Sequence, residues 1–123
     1  MKTLTFAIEP FAHSLKRFKQ TFEAVQGGRE VEPREIVGFT SLEAARNFLT
    51  HERLALLRAI KTRHPGSIYA LARMVERDLK NVQEDIRILE RHGLVKLTKR
   101  PRGSRKIKVP EVPFEEIELR IAN

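Results

Sequence analysis

The chain has 123 residues, 41% of them hydrophobic and 33% charged, so it can build a core under a densely charged surface and is not a disordered tail. Cysteine is absent, which removes disulfides, thiol nucleophiles and thiolate metal sites. The net charge of +8 is concentrated in one segment: residues 1–49 hold 7 basic and 6 acidic side chains, residues 50–110 hold 16 and 6, and residues 111–123 hold 1 and 4, the footprint of a polyanion binder.

Thr3 to Ile8 alternates, with Leu4, Phe6 and Ile8 on one face, and is predicted as a strand. Pro10 stands where a first helical turn tolerates proline, and Phe11, Leu15, Phe18, Phe22 and Val25 then recur at helical spacing until Gly27-Gly28. Arg34 to Phe39 reads as a second short strand. Thr40-Ser41-Leu42-Glu43 has the capping-box pattern, and the helix it opens carries Leu42, Ala45 and Leu49 on one face. Thr50 is the predicted cap of the next helix, with Leu54, Leu57 and Ile60 as its stripe and His64-Pro65-Gly66 as its end. Ser67 caps a third helix bearing Ile68, Leu71, Ala72 and Val75. A short turn at Glu76-Arg77-Asp78 leads to a fourth, with Asp78 as its cap. Its buried face is Leu79, Val82, Ile86 and Leu89, and Gly93 ends it. Leu94 to Leu97 and Ile107 to Val109 are expected to pair as a hairpin, with a charged turn over Lys99 to Lys106. After Pro110 and Pro113, Ile117, Leu119 and Ile121 alternate with Glu116, Glu118 and Arg120, which is the period of a strand.

Three helices followed by a basic hairpin are the order of a winged helix-turn-helix. In that arrangement the second short helix of the pair enters the major groove while the first braces it. The predicted fold is therefore α+β, with an N-terminal strand-helix-strand extension over 1–48, a winged helix-turn-helix over 49–110 and a C-terminal strand over 111–123. The polar face of the fourth helix offers Lys80, Asn81, Gln83, Glu84 and Arg87, side-chain types that can read base edges. Such a face is also what any amphipathic helix turns to solvent. The hairpin says more. From Lys96 to Lys108 it holds seven basic residues and no acidic one, so the charges repel unless phosphates offset them. Lys99, Arg100, Arg102, Arg105 and Lys106 are its candidate DNA contacts, joined by Ser67 and Tyr69 at the start of the third helix.

Ser67-Ile68-Tyr69-Ala70-Leu71-Ala72, Asp78-Leu79-Lys80-Asn81-Val82 and Ile86-Arg87-Ile88-Leu89-Glu90-Arg91-His92-Gly93-Leu94-Val95 resemble the winged-helix core of MarR-like and ArsR-like regulators. The Arg77 to Val82 stretch is similar to a group of small prokaryotic DNA-binding proteins often encoded beside a toxin and regarded as antitoxin-like. The resemblance covers about half of the chain and implies double-stranded DNA binding, transcription regulation and, in the antitoxin version, a small toxin protein as partner. One departure is Glu76, where many such turns carry glycine.

His13, His51, His64 and His92 lie on separate elements and make no metal motif, Gly27-Gly28 is not followed by a phosphate loop's lysine, and no nucleophile elbow is present. The expectation is a protein that is not an enzyme and needs no cofactor or metal. No apolar run approaches the roughly 20 residues that cross a bilayer, and the start is too short for a signal peptide, so the chain reads as soluble and cytoplasmic. The leading reading is a homodimeric, sequence-specific regulator, acting as an autorepressor. The alternative is an antitoxin whose main task is to hold a toxin, and RNA binding through the same basic face is a third. Phe11, Leu15, Phe18 and Phe22 on one element, and Ile117, Leu119 and Ile121 on another, are the candidate dimer or partner surfaces. Packing within one protomer explains the same periodicity.

Overall fold

A computed structural model describes residues 2–8 and 35–121. The helix expected over 11–25, with Phe11, Leu15, Phe18 and Phe22, lies outside the described residues. The elements run β1 (Thr3–Ile8), β2 (Glu35–Phe39), α1 (Leu42–Phe48), α2 (His51–Arg63), α3 (Ile68–Met74), α4 (Leu79–Arg91), β3 (Lys96–Arg102), β4 (Arg105–Glu111) and β5 (Glu116–Ile121). The fold is α+β and divides into two compact units, Met1–Phe48 with Glu116–Asn123, and Leu49–Glu115.

In the first unit β1 is the middle strand of three, and both neighbours run parallel to it in the order β2-β1-β5. Residues paired across a sheet share a face. The register Phe6↔Val37, Ile8↔Phe39, Leu4↔Ile117, Phe6↔Leu119 and Ile8↔Ile121 therefore assembles one apolar face from all three strands. Phe48 of α1 sets its ring 6.0 Å from Phe6 and 5.6 Å from Phe39, and those two rings are 5.3 Å apart, a tilted cluster of the kind aromatic rings prefer. Two details of α1 differ from the sequence reading. The cap is Ser41, whose hydroxyl accepts from the Ala44 amide at 3.1 Å, not Thr40. Leu42, expected on the inner face, is 44% exposed, because a helix this short turns only Ala45 fully inward.

The second unit is built on capped helices. Thr50 accepts from the Arg53 amide (3.2 Å), Ser67 from Ala70 (3.0 Å) and Asp78 from Asn81 (3.4 Å), each satisfying a donor that a helix start leaves open. His64 ends α2 in the left-handed conformation, and Pro65 behind it is fully buried. The core is Leu56, Leu57, Ala59, Ile60, Leu71, Ala72, Val82, Ile86, Leu89, Leu94, Val95 and Phe114. Leu56 and Ala59 lie outside the stripe read from sequence. Helix α2 is covered by α3 and by β4, so its apolar surface is wider than one stripe. Helix α3 packs on α2 and α4, and the β3–β4 hairpin follows α4, which is the winged helix-turn-helix order.

Glu76, in the turn between α3 and α4, has φ +55°. That region strains any residue with a Cβ. Its amide donates to the Arg73 carbonyl at 3.2 Å and its side chain is exposed, so glycine would keep the turn and lose only the strain. Glu76→Gly is expected to stabilise the protein by about 1 kcal/mol, net of the added freedom of the unfolded chain. Urea unfolding checks this, and a loss of stability would mean that the glutamate side chain holds the turn.

Candidate nucleic-acid interface

Helix α4 is fixed from behind and bare in front. Val82, Ile86 and Leu89 are at most 1% exposed and anchor one side. Lys80, Gln83, Glu84 and Arg87 fall on the opposite stripe by the 3.6-residue period, with Asn81 on its flank, and all five are exposed. Arg91 continues the same stripe one turn on and is also exposed. It is an addition to the residues expected from sequence, although its position four residues after Arg87 marks it.

Asp85 sits at the border between these faces and fixes the helix in place. Its carboxylate accepts from Arg53 Nε of α2 at 3.1 Å and from Arg77 Nη2 of the turn at 2.9 Å. The three side chains are 15%, 17% and 26% exposed, so solvent screens them less than a surface pair. Arg77 also closes the turn through its amide, which donates to Ala72 at 3.0 Å. From the far end of α2, Arg63 donates to the Met74 carbonyl at 3.3 Å. Nothing in the sequence marks Arg53, Arg77 and Asp85 as a cluster, because partners 32 residues apart leave no local pattern.

The hairpin is longer and its turn tighter than the sequence suggests. Pairing runs from Lys96↔Glu111 to Arg102↔Arg105, leaving only Gly103 and Ser104 as the loop. Gly103 has φ +62°, the glycine-first form favoured in two-residue hairpin turns. Pro101 is inside β3 rather than in the turn, as a strand with a free edge allows.

This register divides the basic residues between two faces. One face carries Leu97 and Pro110 at its base, then Lys99 opposite Lys108, then Lys106 opposite Pro101. These three lysines are exposed, and no carboxylate shares their face of the hairpin. Like charges placed directly opposite one another disfavour pairing. The other face carries Thr98, Val109 and Ile107, with Arg100 bonded to Glu111 at 3.1 Å and Thr98 to the same carboxylate at 3.2 Å. The Arg100 hydrogen bond holds the Glu111 carboxyl below its ordinary value. The Arg100 charge is thus partly answered within the chain, whereas among the described residues no carboxylate pairs with Lys99, Lys106 or Lys108. Arg102 and Arg105 face each other at the tip. Lys108 joins the candidate residues here, because the alternating register puts it beside Lys99 and Lys106.

Ser67 is half-buried and its hydroxyl is occupied as the α3 cap. Tyr69 is 59% exposed, and the Arg73 guanidinium lies 5.9 Å from its ring centre. Ile117 is half-buried, while Leu119 and Ile121 are more than half exposed. Among the described residues no group of His, Asp and Glu is placed to hold a metal, and no helix is long and apolar enough to cross a membrane. The arrangement offers a polar helix surface of a width a major groove admits, and a lysine face with free charge for phosphates.

A family model described as HVO_A0114 matches residues 48–119. Among solved structures, the chain is similar to a transcriptional regulator homologue from Pyrococcus horikoshii OT3, with 27% identity and a TM-score of 0.46 over 54% of this chain and 66% of that one. It is also similar to a possible transcriptional regulator from Methanosarcina mazei Go1, with 14% identity and a TM-score of 0.48 over 58% and 63%. The chain thus spans just under two thirds of each of these structures. Comparison with curated proteins finds no significant match.

Proposed function

The chain belongs to the HVO_A0114 family, and from the interface carried in the matched region we propose that it is a double-stranded DNA-binding transcriptional regulator that works as a homodimer and represses its own gene. The observation that carries this reading is the uncompensated lysine face of Lys99, Lys106 and Lys108, set in the same unit as the exposed polar stripe of α4. Phosphates are the ligand that such a face fits, and displaced counterions then supply affinity without reading sequence. Sequence is read by the helix. Asn81 and Gln83 each present an amide that matches an adenine edge, and Lys80, Arg87 and Arg91 present donors for guanine. Arg102 and Arg105 extend the basic surface to the hairpin tip, and Tyr69 with Arg73 adds to it at the start of α3. Two copies on a palindrome would double the number of base pairs read.

The test is titration of the purified protein on the DNA upstream of its own gene and on random duplex, across a salt series. Tighter binding to the upstream DNA, with affinity falling steeply as salt rises, is expected. Equal affinity for both duplexes would remove the sequence-specific reading. Within that assay, Asn81→Ala or Gln83→Ala is expected to cost about 1–3 kcal/mol on the cognate site and to relax preference at one base pair. If cognate and random DNA weaken equally, α4 is not the reading element.

A further inference from the structure

Strand β5 closes the three-stranded sheet on one side. One edge pairs with β1, and the other is unpaired among the described residues. An open edge is a row of N–H and C=O groups ready to accept another strand, and natural sheets guard such edges with lysine, proline or a bulge. β5 has no lysine, proline or bulge, and its charges, Glu116, Glu118 and Arg120, alternate with the apolar side chains and so stand on the opposite face, in unbroken register with β1. Its apolar side chains continue the face of Leu4, Phe6 and Ile8. Yet Leu4 and Phe6 are 2% exposed, whereas Leu119 is 51% and Ile121 57% exposed.

We infer that β5 pairs antiparallel with β5 of a second copy, in a register centred on Leu119, so that the sheets of two protomers become continuous. This rests on the homodimer proposed above and supplies its contact surface. A two-fold axis perpendicular to the sheet requires self-complementarity, because each contact occurs twice. With the axis at Leu119, that residue meets the partner's Leu119 and Ile117 meets the partner's Ile121, so the exposed apolar face is covered. On the other face Glu118 meets the partner's Arg120, and Arg120 meets the partner's Glu118. Moving the axis to Glu118 or to Arg120 instead sets like charges face to face at the centre. The charge order of the strand therefore selects both the partner, a second copy, and the register. Within one protomer Arg120 already reaches Glu118 at 3.4 Å, an exposed pair that can exchange for the cross-strand one at little cost.

Sedimentation equilibrium on the full chain tests this, with Glu118→Lys, Arg120→Glu and the two combined. Each single reversal makes two attractive pairings repulsive, so the dimer dissociation constant should rise on the order of 10- to 30-fold. The double reversal restores complementarity and should return within about 3-fold of the original. Circular dichroism of each variant shows that the sheet is kept. Because the chain has no cysteine, Leu119→Cys should also cross-link across the axis on oxidation, whereas Ile117→Cys should not, since it faces the partner's Ile121. A dimer indifferent to both single reversals, or one the double variant fails to rescue, overturns the β5 interface and leaves the homodimer standing. A chain that stays monomeric up to about 100 μM overturns both.

Discussion

Replacing Lys99, Lys106 and Lys108 together with glutamine should lower affinity for every duplex, cognate or random, by about 100- to 1,000-fold near 0.1 M salt. The same change should flatten the salt dependence by about 3 in slope, close to 1 for each phosphate no longer neutralised. The lysines share one hairpin face without a carboxylate, and no described residue pairs with them, which leaves their charge for phosphate. Arg100→Gln should cost less, because Glu111 already holds that guanidinium at 3.1 Å. Folding should not suffer, since Lys99 and Lys108 stand directly opposite and repel each other in the free protein. Gel shift or fluorescence titration at four or more salt concentrations measures the slope. A triple variant with an unchanged slope would remove the hairpin from the interface.

The second large effect is on stability. Asp85→Ala should destabilise the protein by about 2–4 kcal/mol, read as a fall in the urea midpoint. Two charge-assisted hydrogen bonds disappear, those that Arg53 and Arg77, 17% and 26% exposed, donate to Asp85. Nη1 of Arg77 is already buried with no hydrogen-bond partner among the described residues. The loss falls on the joint that sets α4 against α2 and the turn. DNA binding should therefore weaken with stability rather than in a sequence-selective way. A change below about 0.5 kcal/mol would mean that water screens the cluster as it does a surface pair.

Local chemistry is legible in the sequence and long-range placement is not. The caps at Thr50, Ser67 and Asp78 are readable because each lies three residues before the amide it accepts from. The inner face of α4 is readable because one stripe is buried and everything opposite is bare. Helix α2 defeats the same reading, since a helix covered on two sides has no single stripe, and Leu56 falls outside the expected one although it is fully buried. The hairpin turn reads too wide in the sequence, because period-two burial marks a strand only where something covers it. Beyond Thr98 most of the paired residues are exposed. For the same reason the seven basic residues read as one charged loop, and their division into two faces comes only with the register. The alternating pattern of β5 identifies a strand, but a period of two carries no direction. That β5 lies parallel to β1 belongs to the fold.

The hydrogen bond between Thr3 and Glu116 joins positions 113 apart. On the ribosome, β5 is made 113 positions after its β1 neighbour. At about 5–20 residues per second, that edge of β1 waits roughly 6–23 seconds for its partner. The Leu49–Glu115 unit has no such wait, because its helices and hairpin pack on near neighbours and are complete as they emerge. Synthesis therefore completes the Leu49–Glu115 unit first, and the strand that carries Leu4, Phe6 and Ile8 keeps one edge open until β5 emerges. A chaperone acting on this nascent chain would find its target at the first strand rather than among the helices.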